Sequence, residues 1–471
     1  MPFSPARRTL LAALALPAVL APIAVAQVNG DRQTKIATPA SANGAGENTT
    51  FSQDNRAARL LAFDSAAGNL VAGDSNSKRD VFALKRGSRE GDLSGVLVRA
   101  SVAGRNGAQA NGDSKQPSLD GDQKRKPHCV AFETTATNLD SQTRPAHRLD
   151  RSSDSDVYLR DLNRKRTTLV SVGHSGARNG VVDGECEFVT YEASGSVFVR
   201  DLEAAKTTRI ARGTNPDQQT NGKGVAYERR GQVYQQSFQK VFNKGNQTVK
   251  RIGRELLVSA GARGRGNGRS ANPAADDNGH YVAFESTATN LCTNLCQGVS
   301  EDQNGAVSDI FRRTISSKAP TRDKMQMVSY SWGVSADFPE GVKAQGNGPS
   351  NNPAMTGAGE NVAFDSAATN LRQSPGIKNV DPNGSVRDIY YWNFPRARKF
   401  GNVSRESRPG KALEAGGFFD GASTNPSSSN RANYIAFTSA QSGLSGEANG
   451  ESIADVFIRF LGGGPEDTDA E

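Results

Sequence analysis

One short phrase recurs seven times along the 471 residues, and a repeated phrase restricts the fold more than any composition can. It runs aliphatic, small, aromatic, polar. The copies are Leu61-Ala62-Phe63-Asp64, Val130-Ala131-Phe132-Glu133, Val189-Thr190-Tyr191-Glu192, Val225-Ala226-Tyr227-Glu228, Val282-Ala283-Phe284-Glu285, Val362-Ala363-Phe364-Asp365 and Ile435-Ala436-Phe437-Thr438. In an extended chain, residues two apart share a face, so each aliphatic–aromatic pair marks one buried strip of strand.

A second strand follows each phrase and in the fuller copies opens on Asp. Asp80-Val81-Phe82, Asp156-Val157-Tyr158, Asp309-Ile310-Phe311, Asp388-Ile389-Tyr390 and Asp455-Val456-Phe457 are the long versions; Val197-Phe198 and Val233-Tyr234 are the short ones. Ala136-Thr137-Asn138-Leu139, Ala288-Thr289-Asn290-Leu291 and Ala368-Thr369-Asn370-Leu371 fill the space between, with a variant at Ala67-Gly68-Asn69-Leu70. A third strand is expected near Thr168–Ser171, Thr208–Ile210 and Met327–Ser329. Upstream, Asn111-Gly112, Asn267-Gly268, Asn347-Gly348 and Asp420-Gly421 precede Pro117, Pro273, Pro353 and Pro426. These pairs are read as tight reversals with positive φ, and the Pro as a strand start that tolerates a missing donor.

The unit is therefore four short antiparallel strands. Aromatic spacing varies from 36 to 80 residues, which matches constant strands joined by unequal loops. A unit of the shortest size cannot bury a core by itself, so a closed ring is expected. The fold class is all-β: a β-propeller of seven four-stranded antiparallel blades, with six as the alternative if the short third and fourth copies merge. The last copy lacks a fourth strand, and Thr34-Lys35-Ile36-Ala37 resembles that missing strand, so an N-terminal strand is expected to close the last blade.

Residues 1–26 read as an export signal: Arg7 and Arg8, an apolar run from Leu10, then Ala24-Val25-Ala26 ahead of Gln27. Residues 27–461 form the propeller and 462–471 an acidic tail. No transmembrane segment is expected after cleavage. The formal charge is +8, two fewer without Arg7 and Arg8, and it is spread along the chain. The densest basic run, Arg263, Arg265 and Arg269, has no interleaved aromatics and is read as a solvated loop rather than a nucleic-acid contact.

The repeat is similar to the TolB-type, PD40-like propeller repeat of exported bacterial proteins, on the aliphatic-Ala-Phe and Asp-Val-Phe or Asp-Ile-Tyr strands over roughly residues 34–460. The resemblance implies a propeller scaffold, export, and contacts made through loops. It does not extend to the separate N-terminal domain or the six blades of TolB, so no role in a Tol–Pal complex is carried over.

Four cysteines in an exported chain permit two disulfides: Cys292–Cys296 within one loop, leaving Cys129 for Cys186. Zinc at the Cys292–Cys296 spacing lacks a second pair or a nearby His. The most site-like loops are Asp302-x-Asn304-Gly305 with Asp309, and Asp381-x-Asn383-Gly384 with Asp388, at identical spacing. Alternating oxygen ligands with a Gly turn resemble calcium loops, whereas Asp and Asn in turns also bond their own backbone. Asp74, Asn76 and Asp80 form a looser version. Calcium is thus the one cofactor considered.

His128 and His280 hold the same repeat position and are read as structural, and no Ser-His-Asp set stands out. The acid after each aromatic recurs in six copies, and a residue repeated in this way is read as structural. Trp332 and Trp392 could stack sugars but are too few to carry a site. The reading is a non-enzymatic, monomeric exported scaffold that binds an envelope or extracellular protein or glycan. A calcium- or carbohydrate-binding propeller is the first alternative, and a propeller hydrolase or lyase the second. Specificity is expected in the unequal loops 140–155, 240–254, 292–308 and 372–387.

Overall fold

The computed structural model describes residues 34–461 apart from 39–41, 55–56, 106, 123, 141–152, 244–245, 262–263, 293–301, 316–324, 336–337, 372–380, 382, 394–401, 408–420, 432, 442–443 and 445–452. The expected signal peptide and acidic tail lie outside these residues. Among the described residues there is no helix, and seven four-stranded antiparallel sheets form the seven blades.

The innermost strands of blades one to seven are Gly46–Phe51, Ser114–Leu119, Arg178–Val182, Thr214–Gln218, Ser270–Ala275, Ser350–Met355 and Ser423–Ser428. Each neighbours the innermost strand of the next blade, and that of blade seven neighbours that of blade one, so seven strands line one closed channel. The seven phrases are the second strands, from Leu60–Ser65 to Tyr434–Ser439. Third strands such as Asp80–Arg86 and Asp388–Asn393 pair with them. In the last blade the fourth strand is Thr34–Ile36, which pairs with Asp455–Phe460 from Thr34↔Arg459 to Ile36↔Phe457. The expected N-terminal closure is present. Ala37 N donates to Val456 O at 2.7 Å and Thr38 Oγ1 to buried Asp455 Oδ1 at 2.8 Å.

The phrase has this form because each position faces a different neighbour. The aromatic stacks on the aromatic of the third strand in every blade: Phe63–Phe82, Phe132–Tyr158, Tyr191–Phe198, Tyr227–Tyr234, Phe284–Phe311, Phe364–Tyr390 and Phe437–Phe457, with centroids 5.7–6.4 Å apart. Such cross-strand pairs stabilise by about 0.5–1.5 kcal/mol beyond area burial. The small residue faces the other way and makes room for the next blade. Ala62 packs with Phe132 and Tyr158, Ala283 with Phe364 and Tyr390, and Ala436 with Phe63 and Phe82. The last of these contacts buries the seam between blades seven and one.

The turn glycines differ from expectation. Gly112, Gly268, Gly348 and Gly421 do not have positive φ. A Cβ on each would come within 2.6 Å of the backbone of Thr135, Thr287, Ala367 or Ala440, so close approach excludes a side chain there. The adjacent Asn ties the turn down: Asn267 Nδ2 donates to Thr289 Oγ1 at 2.8 Å, and Thr289 N to Asn267 Oδ1 at 2.8 Å, with Asn347 and Thr369 repeating both bonds. This is why Ala-Thr-Asn-Leu recurs.

Positive φ occurs instead inside the innermost strands, at Asn48, Gln116, Asn179, Asn215, Asn272, Asn352 and Asn425, all with φ between 47° and 52°. The ladder slips by a bulge at each of these sites. Asn is the residue that best tolerates this conformation apart from Gly. Pro117, Pro273, Pro353 and Pro426 follow directly, so they sit within the strand at the bulge rather than at its start.

Candidate functional site

Four features carry chemistry beyond packing: the channel, the acidic loops, a cysteine–histidine cluster and a groove on the flank.

In the channel, the acid that ends each phrase reaches into the next blade and accepts the backbone N–H of its left-handed residue. Asp64 Oδ1 accepts from Gln116 at 3.0 Å, Glu133 Oε2 from Asn179 at 3.2 Å, Glu228 Oε1 from Asn272 at 2.9 Å, Glu285 Oε2 from Asn352 at 3.1 Å and Asp365 Oδ2 from Asn425 at 3.3 Å. Glu192 accepts from Asn215 in the same way. Arg79, Lys115, Arg178, Arg269 and Arg387 neutralise Asp64, Glu133, Glu192, Glu228 and Asp365. Arg269, from the expected basic loop, thus pairs with one of the repeated acids; Arg263 lies outside the described residues. The seventh position holds Thr438, whose buried hydroxyl has no partner. Six clamps join six interfaces, and the interface closed by the N-terminal strand lacks one.

A cavity of about 250 Å³ lies in the channel, lined among others by Gln53, Asp217, Gln218, Asp277, Met355 and Ser428. Asp217 accepts one bond there, from Ala275 N at 2.6 Å, and burial pushes its carboxyl up to about 7. Asp183, also near 7 through burial, accepts the backbone N–H groups of Glu187 and Phe188 and only shapes a turn.

The acidic loops carry different counter-charges. In blade six, Arg405 Nη1 lies 3.1 Å from Asp381 Oδ1 and 3.3 Å from Asp388 Oδ2, and Asn383 lies between the two carboxylates. In blade one, Arg99 joins Asp74 and Asp80 in the same way, at 2.9 and 3.4 Å. Arg99 and Arg405 stand opposite Phe82 and Tyr390 in the ladder; in blade five Met327 stands opposite Phe311. There the neutral Gln345 Nε2 bridges Asp302 Oδ1 at 2.9 Å and Asp309 Oδ2 at 2.6 Å. Asn304 Nδ2 donates to Gly346 O. Asp309 is pushed up to about 7 by burial, while Ser329 and Gln345 donate to it and oppose the shift.

The Cys129–Cys186 disulfide is present and ties blade two to blade three across 57 residues, a loop whose closure accounts for about 4 kcal/mol on chain entropy. Cys292 is also disulfide-bonded; its expected partner Cys296 lies outside the described residues. Beside the first disulfide stand Asp120 and His128, and one ligand atom from each of the four residues lies within 4.8 Å of the others. Asp120 Oδ1 accepts His128 N and Cys129 N, both at 2.8 Å, and its Oδ2 faces His128 Nδ1 at 3.0 Å. That contact holds the imidazole above its ordinary pKa. His280 makes the equivalent strand-end backbone bond, accepting Ile315 N as His128 accepts Leu162 N. His174 stacks on Phe198, and its Nδ1 meets Tyr191 Oη at 2.7 Å; burial lowers its pKa. His147 lies outside the described residues. Trp392 is core, 3% exposed with Arg312 over its ring, and is no sugar platform.

The groove occurs where the repeat is broken. In blade four the third and fourth strands, Gln232–Asn243 and Asn246–Leu257, have twelve residues each where most other third strands have six. The outer strand of blade three, Lys206–Arg212, and this hairpin enclose a groove of about 770 Å³. Arg209, Arg212, Arg229, Lys250 and Arg251 line it, against one acid, Glu255. Arg229 pairs with Glu255 and lies 4.0 Å over the Tyr234 ring. Arg209, Arg212, Lys250 and Arg251 are exposed and form no ion pair among the described residues. The unequal stretch 240–254 signalled one wall of this groove, as a loop where the structure has a hairpin; Arg209 and Arg212 lie far from Lys250 and Arg251 in the chain and meet them only because that hairpin is long.

No protein-family model and no curated protein matches the chain. Solved structures similar in overall chain course include an oligogalacturonate lyase in complex with manganese, at 10% identity over 91% of this chain and 93% of that one, TM-score 0.45. The β-propeller domain of the Trilobed protease from Pyrococcus furiosus is similar at 8% identity over 89% and 96%, TM-score 0.41. TolB from Acinetobacter baumannii is similar at 10% identity over 78% and 86%, TM-score 0.32. At these identities the likeness is one of fold alone.

Proposed function

We propose that this protein is an exported, non-catalytic, monomeric propeller that holds an anionic glycan in the groove between blades three and four. The observation that carries this reading is the set of four unpaired cations lining one concave surface where the repeat departs from itself. Exposed side chains in water keep their charge without a partner, and a concave array of one sign concentrates counter-ions and steers acidic ligands. Stacking aromatics are not among the groove-lining residues, which disfavours single-stranded nucleic acid. The reading as a scaffold is supported by the channel, where the repeated carboxylates already hold blades together. The disulfides support an oxidising compartment, and kinship with TolB-type repeats belongs to the same proposal.

Titration of the chain with a polyuronate, a poly-glutamate peptide and duplex DNA tests it. The expected result is polyuronate binding that weakens steeply from low to physiological salt. Salt-independent binding, or none, contradicts it.

A second reading concerns calcium, for which Met327 favours blade five. There a cation would join Asp302, Asn304 and Asp309, while in blade six it would have to displace Arg405. Calcium raising the Tm of the chain but not of Asp309→Asn supports that reading; no response removes it.

A further inference from the structure

The cluster of Asp120, His128, Cys129 and Cys186 contains two donors that the disulfide withholds. A thioether-like sulfur in a disulfide is a poor metal ligand, whereas a thiolate is one of the strongest. Reduced, the cluster would present two thiolates, an imidazole nitrogen and a carboxylate oxygen. That is a complete tetrahedral donor set, and its chemistry is that of zinc rather than calcium. Zinc–ligand bonds of about 2.0–2.3 Å place ligand atoms about 3.5 Å apart. The four atoms already lie within 4.8 Å of one another, so small side-chain rotations assemble the site. The second layer of contacts is also present. Asp120 Oδ1 is fixed by two backbone N–H groups, which leaves Oδ2, 3.0 Å from His128 Nδ1, as the oxygen turned toward the cluster. Cys129 and His128 are fixed at the edge of a strand of blade two, and Cys186 on the facing turn of blade three.

We propose that reduction of the Cys129–Cys186 disulfide converts this cluster into a zinc site, so that a metal bridge replaces the covalent bridge between blades two and three. The reductant is a dithiol. One of its thiolates attacks Cys186 Sγ, which sits in the partly exposed turn, and Cys129 Sγ leaves as a thiolate. Cys129 itself is 1% exposed, and its thiolate forms beside the His128 ring. The second thiol of the reagent then attacks the mixed disulfide and releases Cys186. The reagent loses two electrons and becomes a disulfide; the protein gains two electrons and two protons. Zinc binding releases those thiol protons, together with the His128 proton where it is held.

The test uses the full chain with Cys292→Ser and Cys296→Ser, which removes the other cysteine pair, and the wild-type chain in parallel. Each is reduced with dithiothreitol, desalted without oxygen and titrated with cobalt(II), then with zinc. The expected result is one cobalt per chain with a tetrahedral spectrum and a thiolate charge-transfer band, displaced by zinc, and a higher Tm on zinc addition. The oxidised chain shows none of this. His128→Ala, which keeps the disulfide and reports its own folding in the oxidised form, loses more in zinc affinity than the roughly 10- to 100-fold that removal of a second-layer partner costs. If the double Ser variant does not fold, the difference between reduced wild type and reduced His128→Ala gives the same answer. No thiolate band in the reduced chain, equal metal uptake by the oxidised chain, or unchanged affinity in His128→Ala overturns the proposal.

Discussion

Around the channel, six carboxylates occupy equivalent positions in six blades, and each accepts a backbone N–H from the blade that follows. On the flank between blades three and four, Arg209, Arg212, Lys250 and Arg251 occupy positions that belong to one unequal hairpin and its neighbour, and none has an anionic partner among the described residues. The two regions put charge to opposite uses. Charge that repeats with the blade is neutralised by the fold and holds it together; charge that departs from the repeat is left to water and to whatever enters the groove. Substitutions in the first region should change stability and leave ligand affinity alone, and substitutions in the second should do the reverse.

The largest stability effect is expected at Asp365. It is fully buried and accepts Asn425 N, Asn352 Nδ2 and the Arg387 guanidinium. Asp365→Val leaves Asn425 N and Asn352 Nδ2 without this acceptor and takes the buried end of the Arg387 ion pair away, at a cost of about 3 kcal/mol by chemical denaturation. Polyuronate affinity should not move. A loss of affinity equal to the loss of stability would break the separation of the two regions.

A smaller effect, of the opposite sign, is expected at Asp217. Its folded pKa, near 7, lies above the ordinary carboxylate value because of burial. Between about pH 4 and pH 7 the folded chain therefore holds a proton that the unfolded chain has lost, and stability falls as pH rises through that window. Asp217→Asn keeps an acceptor for Ala275 N and relieves part of the penalty, since its amide NH2 takes the place of a carboxyl oxygen. The Tm gain should be absent at pH 4 and reach about 2 °C above pH 7, read by calorimetry across pH. A gain of the same size at every pH would contradict the assignment.

The smallest effect is expected at the seam. Thr438 stands where the other blades place an acid, and its hydroxyl is buried without a partner. Thr438→Val should change stability by less than about 0.5 kcal/mol, since no bond is lost. A large destabilisation would mean that the seam is clamped by Thr438 after all.

Much of the fold was legible in the sequence because the repeat writes strand periodicity seven times over. The aliphatic–aromatic spacing gave the second strands, the Asp-led run the third, and Thr34–Ile36 the missing strand of the last blade. The recurrence of Asp64, Glu133, Glu192, Glu228, Glu285 and Asp365 pointed to structure, and the clamps supply the physical reason. What resisted reading depends on contacts across the ring. The Asn before each Pro is visible as a pair in the chain, yet its left-handed backbone follows from a bulge that exists only once the inner strand meets the channel. Gly112, Gly268, Gly348 and Gly421 look like positive-φ turns but answer to backbone packing around them. Arg99 and Arg405 are distant in the chain from the acids they neutralise and are matched to them only by register, which is also why the exception at Met327 was hidden. His128 and Asp120 are eight residues apart, and nothing local tells that the Cys186 turn arrives beside them. The groove cations meet through the length of one hairpin.

The unpaired cations of the flank form the proposed binding surface. The most direct measurement is the affinity of a polyuronate for the wild-type chain and for Arg209→Glu/Arg251→Glu at one fixed salt concentration, with Tm read on the same samples. Binding is expected to be roughly a hundredfold weaker with a Tm within about 1 °C of wild type, because both side chains are exposed and neither pairs with an acid among the described residues. Equal affinity in the two chains at unchanged Tm would contradict it.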